Sequence, residues 1–170
     1  HALIPPVPGL DQTPFLTNES LFTNTQAPDH LAIMGGGPIG AEMAQAHRRL
    51  GCNVTLIEMA PSIMGKDDPD LVDVVRRQLL AEGVDVRENT RATAVSGTAG
   101  AINIELSTPT GAETISASHL LVATGRKPAI ERLNLDAAGI AHTPQAITVR
   151  PNMRTNVRHI FAIGDVVGGP

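Results

Sequence analysis

Residues 30–58 read HLAIMGGGPIGAEMAQAHRRLGCNVTLIE, and the rest of the architecture can be built outward from them. The apolar run at 30–34 stops at a glycine and the β-branched run at 53–57 stops at Glu58, so both runs predict short strands. Between the two runs, apolar residues recur at helical spacing until Gly51 ends the pattern. These residues are Ile39, Met43, Ala46 and Leu50. Strand, glycine-rich turn, helix and strand in this order predict one βαβ unit of a parallel sheet.

The residues after Glu58 predict a second helix and several further strands. Asp68 and Pro69 fit the cap and the first position of a helix, and Gly83 fits the position after its end. The apolar stripe of this helix is predicted at Leu71, Val75 and Leu79. Strands are predicted at 84–86, 91–95, 101–106, 113–116, 119–123, 146–149 and 159–163. The three strands between 91 and 116 resemble an antiparallel meander, inserted before the apolar strand at 119–123.

The expected fold class is therefore α/β, a Rossmann-like parallel sheet with helices and an inserted antiparallel β-meander. Residues 1–29 show no sustained period and are rich in Pro, Thr and Asn. This composition predicts an extended linker with one short helical turn near Ser20. The Pro-rich start at 4–9, and an end at 168–170 directly after an apolar run, lead us to expect a piece of a longer protein.

Composition and charge narrow the range of partners. The chain has 42% hydrophobic and 18% charged residues and a net charge of −4. Its Lys and Arg residues do not cluster in a block. We therefore expect a globular chain with no nucleic-acid partner and no membrane partner. No apolar run reaches the roughly 20 residues that span a bilayer. Because residues 1–10 also lack the pattern of a signal peptide, we expect a soluble, cytoplasmic protein.

The chain offers no set of residues for catalysis or metal binding. Cys52 is the only cysteine, so the chain can form neither an internal disulfide nor a multi-cysteine metal site. We expect Cys52 to pack as a small hydrophobe. The histidines share no metal-ligand spacing, and no nucleophile is paired with a base. We therefore predict no catalytic residue and no metal ligand in this sequence.

The glycine-rich turn predicts a dinucleotide site. Gly35, Gly37 and Gly40 match the pattern G-x-G-x-x-G. The first glycine allows the tight turn, the second lets a pyrophosphate approach the backbone, and the third lets the helix pack closely on the strand. The pyrophosphate would sit on unpaired N–H groups at the positive end of the helix dipole. The candidate cofactor-binding positions in the turn are Gly35, Gly37, Pro38, Ile39 and Gly40.

Glu58 predicts which dinucleotide would bind. It ends the second strand eighteen positions after Gly40, close to the spacing of about 20 that dinucleotide sites show. Its carboxylate can accept hydrogen bonds from the adenosine ribose, and it would repel a 2′-phosphate by up to about 4 kcal/mol before screening. The first following cation is Lys66. We therefore expect NAD(H) to be preferred over NADP(H). A solvated strand-end glutamate, a non-catalytic NAD-sensing module and an adenosylmethionine-dependent methyltransferase are the alternatives at this stage.

Three segments resemble one family in their order and spacing: GGGPIGAEMA at 35–44, ATGRKP at 123–128 and TNVRHIFAIGD at 155–165. They resemble the pyridine nucleotide-disulfide oxidoreductases, in the branch that holds dihydrolipoamide dehydrogenase and mercuric reductase. The sensing-module and methyltransferase alternatives leave the second and third segments unexplained. The resemblance implies a linker from an FAD domain at 1–29, an NAD(P)-binding domain at 30–126 and a return segment towards the FAD domain at 127–170.

The resemblance also adds site residues and partners. It implies that Glu42 lies near the nicotinamide carboxamide, that Gly125 passes close to the dinucleotide and that Asp165 binds FAD. Without the resemblance, Glu42 could equally be a carboxylate favoured by the helix dipole.

The whole protein would pass hydride between NADH and flavin and form a homodimer. The chain would be inactive alone, because the remaining FAD-binding and dimerisation domains are its missing partners. Lipoamide, mercuric ion, other disulfides and transhydrogenation are the alternatives for the electron acceptor. A non-disulfide flavoprotein reductase of the same fold is the alternative for the enzyme class.

Overall fold

The structure is a computed structural model that describes residues 1–168, and the chain forms two compact units. One unit holds residues 2–125, and the other holds His1 together with the residues from Arg126 onward. The predicted linker belongs to the first unit, where it buries Leu10 and Leu21. A single 3₁₀ turn at Leu21–Thr23 lies where the sequence predicts a helical turn.

Helices and strands alternate through the first half of the chain, and strands and short 3₁₀ turns follow. The elements in order are β1 (His30–Met34), α1 (Pro38–Arg49), β2 (Asn53–Ile57), α2 (Pro69–Ala81), β3 (Asp85–Arg87), β4 (Arg91–Thr98), β5 (Ala101–Thr108), β6 (Gly111–Ala117), β7 (His119–Val122), β8 (His142–Thr143) and β9 (Ala146–Ile147). In the part of the chain that the structure describes, no helix has the length and apolar character needed to cross a bilayer.

Four strands form the central parallel sheet, in the order β3-β2-β1-β7. Met34 pairs with Ile57 on one side and with Val122 on the other, so the three strands end at the same edge. The order changes direction at β1, and open α/β sheets bind ligands outside the carboxyl ends of strands at such a point. The predicted Rossmann-like parallel sheet is confirmed.

The inserted meander is confirmed as a separate antiparallel sheet of β4, β5 and β6. Its central strand alternates strictly, with Ile102, Ile104 and Leu106 buried and the residues between them exposed. This alternation is typical of a sheet that has one face in a core and one face in solvent.

The two faces of the parallel sheet are covered by different elements. Leu31 and Ile33 point into the core that α1 and α2 cover, and both are fully buried. Ala32 and Met34 point into the second core, which the meander covers. Because side chains alternate along a strand, β1 contributes to both cores, and a shift of one residue would exchange its two faces.

Helix α1 forms where predicted, but it buries a different face. Gly40, Ala41 and Ala44 are buried, whereas Leu50 is 73% exposed and the predicted position Ala46 is exposed as well. Small residues on the buried face allow the helix to lie close to the sheet. The larger apolar residues that suggested the stripe therefore do not define the contact.

Helix α2 confirms its predicted cap, because the N–H of Asp70 donates to Oδ1 of Asp68 over 3.0 Å. Its predicted stripe is wrong at one position. Val72 and Leu79 are buried, but Leu71 is 68% exposed. Two apolar stripes overlap on this helix, and helical spacing alone does not identify the stripe that meets the core.

The second unit contains less regular structure than predicted. Its core consists of Ile130, Leu135, Ile140, Ile147 and Ala162. The strand predicted at 146–149 is shorter, and β9 pairs only with β8. The strand predicted at 159–163 is wrong, because this segment makes one isolated bridge, between Arg154 and Phe161. A strand requires a ladder of backbone hydrogen bonds to a neighbouring strand. The apolar pattern around Ala162 predicts a strand but contains no information on whether such a neighbour is present.

Candidate functional site

The carboxyl ends of three parallel strands bring three predicted segments to one edge of the sheet. Gly35 follows β1, Glu58 follows β2 and Ala123 follows β7. The N–H of Gly35 donates to the carbonyl of Ile57 over 2.8 Å, and the N–H of Ala123 donates to the carbonyl of Met34 over 2.7 Å. The glycine-rich turn is therefore held between its two neighbouring strands at the switch point of the sheet.

Two glycines of the turn are required by contacts within the chain. Gly35 has a φ of +107°, and a Cβ atom there would lie 2.4 Å from the carbonyl oxygen of Ala123. A Cβ atom on Gly40 would lie 1.9 Å from the carbonyl oxygen of Gly35. Any larger residue at either position would displace the backbone.

Gly37 faces open space instead. No heavy atom lies within 4 Å of the position that its Cβ would occupy. Gly37 caps α1 without a side-chain hydrogen bond, and Pro38 at the first helical position has no N–H. Within residues 1–168, the N–H groups of Ile39 and Gly40 have no acceptor. Unpaired donors in front of open space, at the positive end of a 12-residue helix, fit a pyrophosphate.

Glu58 is bonded to the turn through its side chain. Its Oε2 accepts the N–H of Gly36 over 2.7 Å, and its Oε1 accepts the N–H of Ala60 over 2.7 Å. Gly36 is buried, and a Cβ atom there would lie 2.8 Å from Cγ2 of Ile63 and 2.9 Å from Cβ of Glu58. Sequence reasoning missed Gly36, because the glycine pattern uses only its two neighbours. The run of three consecutive glycines was the available signal.

The loop between β2 and α2 packs against the same turn. The N–H of Met64 donates to the carbonyl of Gly36 over 2.8 Å, and Met64 has a φ of +48°. Ile63 is fully buried, and its N–H donates to Oε1 of Glu88 over 3.1 Å. Glu88 also accepts Nε of Arg76 over 2.9 Å. No motif indicated these residues, because their contacts join segments that are distant in the sequence.

The structure brings most of the predicted positions together. The positions at the β1–α1 turn and the end of β2 are Gly35, Gly37, Pro38, Ile39, Gly40 and Glu58. Glu42 is exposed on α1, and Gly125 follows β7 in the same unit with a φ of +139°. The carbonyl of Gly125 accepts the N–H of Leu3 over 2.9 Å. Asp165 belongs to the second unit, where it is exposed in a 3₁₀ turn.

Cys52 lies apart from this edge, in the core between the sheet and the helices, with 2% of its surface exposed. Burial raises the pKa of its thiol, which disfavours the reactive thiolate. The prediction that Cys52 packs as a small hydrophobe is confirmed.

Comparison with protein families identifies the class to which this architecture belongs. The family described as pyridine nucleotide-disulphide oxidoreductase matches residues 1–170. This chain belongs to the pyridine nucleotide-disulphide oxidoreductase family. The resemblance carried by the three quoted segments is thereby confirmed.

Several relatives of this chain are named as oxidoreductases. A mercuric reductase from Shigella flexneri is 39% identical over 168 residues, which cover 98% of this chain and 30% of that protein. A dihydrolipoyl dehydrogenase from Bacillus subtilis (strain 168) is 38% identical over 154 residues, which cover 91% of this chain and 33% of that protein. The chain thus spans about a third of the length of these relatives.

Solved structures in the family share the fold. The structure described as HOCl-induced flavoprotein disulfide reductase RclA from Escherichia coli matches with a TM-score of 0.89 and 31% sequence identity. The match covers 100% of this chain and 39% of that one. The combination of a parallel sheet with an inserted meander is therefore a shared feature of the chain and this flavoprotein.

Proposed function

We propose that this chain is the dinucleotide-binding part of an FAD-dependent NAD(P)H:disulfide oxidoreductase. The observation that carries the proposal is the open space at Gly37, which is bordered by unpaired N–H groups and lies in the same turn that the Glu58 carboxylate contacts. Family membership supports the reaction class, since the named relatives are oxidoreductases. When bound, NADH and FAD supply the hydride chemistry, in either direction.

The residues of the chain bind and orient the dinucleotide. The turn from Gly35 to Gly40, including Pro38 and Ile39, holds the pyrophosphate by backbone N–H groups and needs no cation. Glu58 accepts hydrogen bonds from the adenosine ribose. Glu42, exposed on α1, contacts the nicotinamide carboxamide, and Gly125 lets the chain pass close to the ligand. In the second unit, Asp165 contributes to the FAD site of the whole protein.

We propose a preference for NAD(H) because, within residues 1–168, Glu58 forms no salt bridge and its carboxylate is bonded only to backbone N–H groups. The sequence has no Lys or Arg between Glu58 and Gly65. Arg87, whose carbonyl accepts the N–H of Glu58, has its guanidinium 2.7 Å from Asp85 and 2.7 Å from Glu113. Arg76 is likewise paired with Glu88. A 2′-phosphate would therefore meet an uncompensated carboxylate.

We further propose how the chain fits into the whole protein. Residues 1–29 lead from the FAD domain, residues 30–126 form the NAD(P)-binding domain, and residues 127–170 return towards the FAD domain. The whole protein acts as a cytoplasmic homodimer. The chain alone lacks turnover, because the rest of the FAD site and the dimerisation domain lie in other parts of the polypeptide.

The test is calorimetric titration of the purified chain with NADH, NADPH, FAD and adenosylmethionine, each separately. We expect NADH to bind and NADPH to bind more weakly. Binding of adenosylmethionine, or no dinucleotide binding by the folded chain, would contradict the proposal.

Glu58→Ala tests the assignment of the ribose contact. We expect NADH affinity to fall about tenfold and the preference over NADPH to narrow, because a hydrogen bond to a charged group contributes about 1.5–3 kcal/mol. Glu105→Ala, which removes an exposed carboxylate from β5, is the matched control. Unchanged discrimination in Glu58→Ala would remove the assignment.

A further inference from the structure

We infer that Glu58 sets the shape of the pyrophosphate turn before any ligand binds, and is therefore a positioning residue as well as the ribose acceptor. This inference rests on the proposed function and deepens it. It assigns Glu58 a second role, which would affect binding of the pyrophosphate even where no ribose hydroxyl is present.

The carboxylate can serve both roles at once. An ionised carboxylate offers about four acceptor positions on its two oxygens. In Glu58, Oε2 accepts the N–H of Gly36 and Oε1 accepts the N–H of Ala60, each over 2.7 Å. One position on each oxygen therefore remains for the ribose hydroxyls. The bonds to the backbone need not break when the ribose binds.

The peptide groups of Gly36 depend on partners from the segment that follows β2. Its N–H donates to Glu58 and its carbonyl accepts the N–H of Met64 over 2.8 Å, so both ends of this buried residue are held. Without the carboxylate, a buried N–H would lose its partner, which is unfavourable in a protein interior. The next residue is Gly37, which caps α1 and faces the open space. A shift at Gly36 would therefore move the N–H groups that face the pyrophosphate.

The loop between β2 and α2 is itself held in place by contacts with other residues. Met64 has a φ of +48°, a left-handed conformation that few residues other than glycine adopt. Such a conformation persists where neighbouring contacts determine it. Here Ile63 is fully buried and its N–H is bonded to Glu88, which is itself paired with Arg76. The loop is thus anchored through Ile63 and Glu88, and Glu58 and Met64 hold Gly36 against it.

The experiment compares two ligands that differ only in the ribose. ADP and 2′,3′-dideoxy-ADP are titrated into the 170-residue chain and into Glu58→Leu. Leucine has no acceptor atom, so it removes the hydrogen bonds to both backbone N–H groups. We expect Glu58→Leu to bind 2′,3′-dideoxy-ADP about tenfold more weakly than the unaltered chain. Glu105→Leu, an exposed change on β5, should bind both ligands as the unaltered chain does.

A second measurement uses the unaltered chain alone. A scalar coupling between the ¹⁵N of Gly36 and the ¹³C carboxylate of Glu58 should be present in the ligand-free state, because the hydrogen bond exists before binding. This result does not depend on whether a variant folds. An absent coupling would overturn the inference.

The outcomes separate this inference from the proposed function. If Glu58→Leu binds ADP more weakly but binds 2′,3′-dideoxy-ADP as the unaltered chain does, Glu58 acts only on the ribose. The inference is then wrong and the proposed function stands. If the folded, unaltered chain binds neither ligand, the proposed function is wrong, and the inference falls with it.

Discussion

Gly37 and Gly40 lie in the same turn but exclude a side chain for different reasons. A Cβ atom on Gly37 meets no heavy atom within 4 Å, and its φ of −69° is accessible to any residue. We therefore expect Gly37→Ala to lower the thermal unfolding midpoint by at most a few degrees, since alanine is a poorer helix cap than glycine. It should bind NADH at least about tenfold more weakly, since the methyl group occupies the ligand's space. Thermal unfolding and calorimetric titration measure the two effects. Full NADH affinity in this variant would show that the open space does not hold the ligand.

Gly40→Ala is the matched comparison in the same turn. Its Cβ atom would lie 1.9 Å from the carbonyl oxygen of Gly35. Overpacking of this kind costs about 1–3 kcal/mol, so this variant should lose stability as well as NADH binding. The same change of residue thus separates contact with the ligand from contact within the fold. An unfolding midpoint equal to that of the unaltered chain would contradict the steric explanation.

At the scale of the elements, one glutamate joins the carboxyl ends of α1 and α2. Glu82 accepts Nε and Nη2 of Arg49 over 2.9 Å and 2.6 Å, and it also accepts the side-chain amides of Gln45 and Gln78. The Arg49 guanidinium and these amides lower the pKa of Glu82 from its ordinary 4.5 to about 2. The ionised form is therefore favoured in the folded state.

We expect Glu82→Gln to lower the thermal unfolding midpoint near neutral pH. A carboxyl whose pKa is lowered by folding stabilises the fold above its unfolded pKa and loses this effect as the pH falls through its folded pKa. The difference between the variant and the unaltered chain should therefore shrink from about pH 4.5 towards about pH 2. Thermal unfolding in a pH series measures this difference, with Glu105→Gln as the control. A difference that is independent of pH would contradict the role of the ionised carboxylate.

At the scale of the whole molecule, each compact unit has its own core. In the first unit, the buried residues of one core lie between Leu21 and Leu121, and those of the other lie between Leu10 and Val122. The buried core residues of the second unit lie between Ile130 and Ala162. The dinucleotide turn and Glu58 belong to the first unit alone. The buried residues of both of its cores therefore all come from residues 2–125.

We therefore expect a chain shortened to residues 2–125 to fold cooperatively and to bind NADH with the affinity of the full chain. Circular dichroism during thermal unfolding and calorimetric titration are the measurements. Cooperative unfolding follows from a self-contained core. A shortened chain that folds but does not bind NADH would show that the second unit contributes to the site.

Local patterns were sufficient for the elements around the turn. The bounds of β1 and β2 agree with the predicted ranges at 30–34 and 53–57, because each run is apolar and ends at a glycine or a charged residue. The glycine spacing, together with Glu58, also predicted which edge of the sheet holds the dinucleotide site. These are properties of neighbouring residues, and the printed sequence contains all of them.

Contacts between residues that are distant in the sequence determine the features that these local patterns did not predict. Gly36 and Glu58 are 22 residues apart, and they meet only because β1 and β2 pair in register. Contacts with other segments likewise decide the buried face of α1, where Ala44 is buried and Leu50 is exposed.

From its sequence alone, the chain could be assigned its fold class, its family and the position of its glycine-rich turn, because local spacing encodes them. The contact between Glu58 and Gly36, the buried faces of the helices and the absence of a strand at 159–163 required the tertiary structure. The physical reason is that hydrogen-bond partners and core contacts exist only when separate segments are brought together.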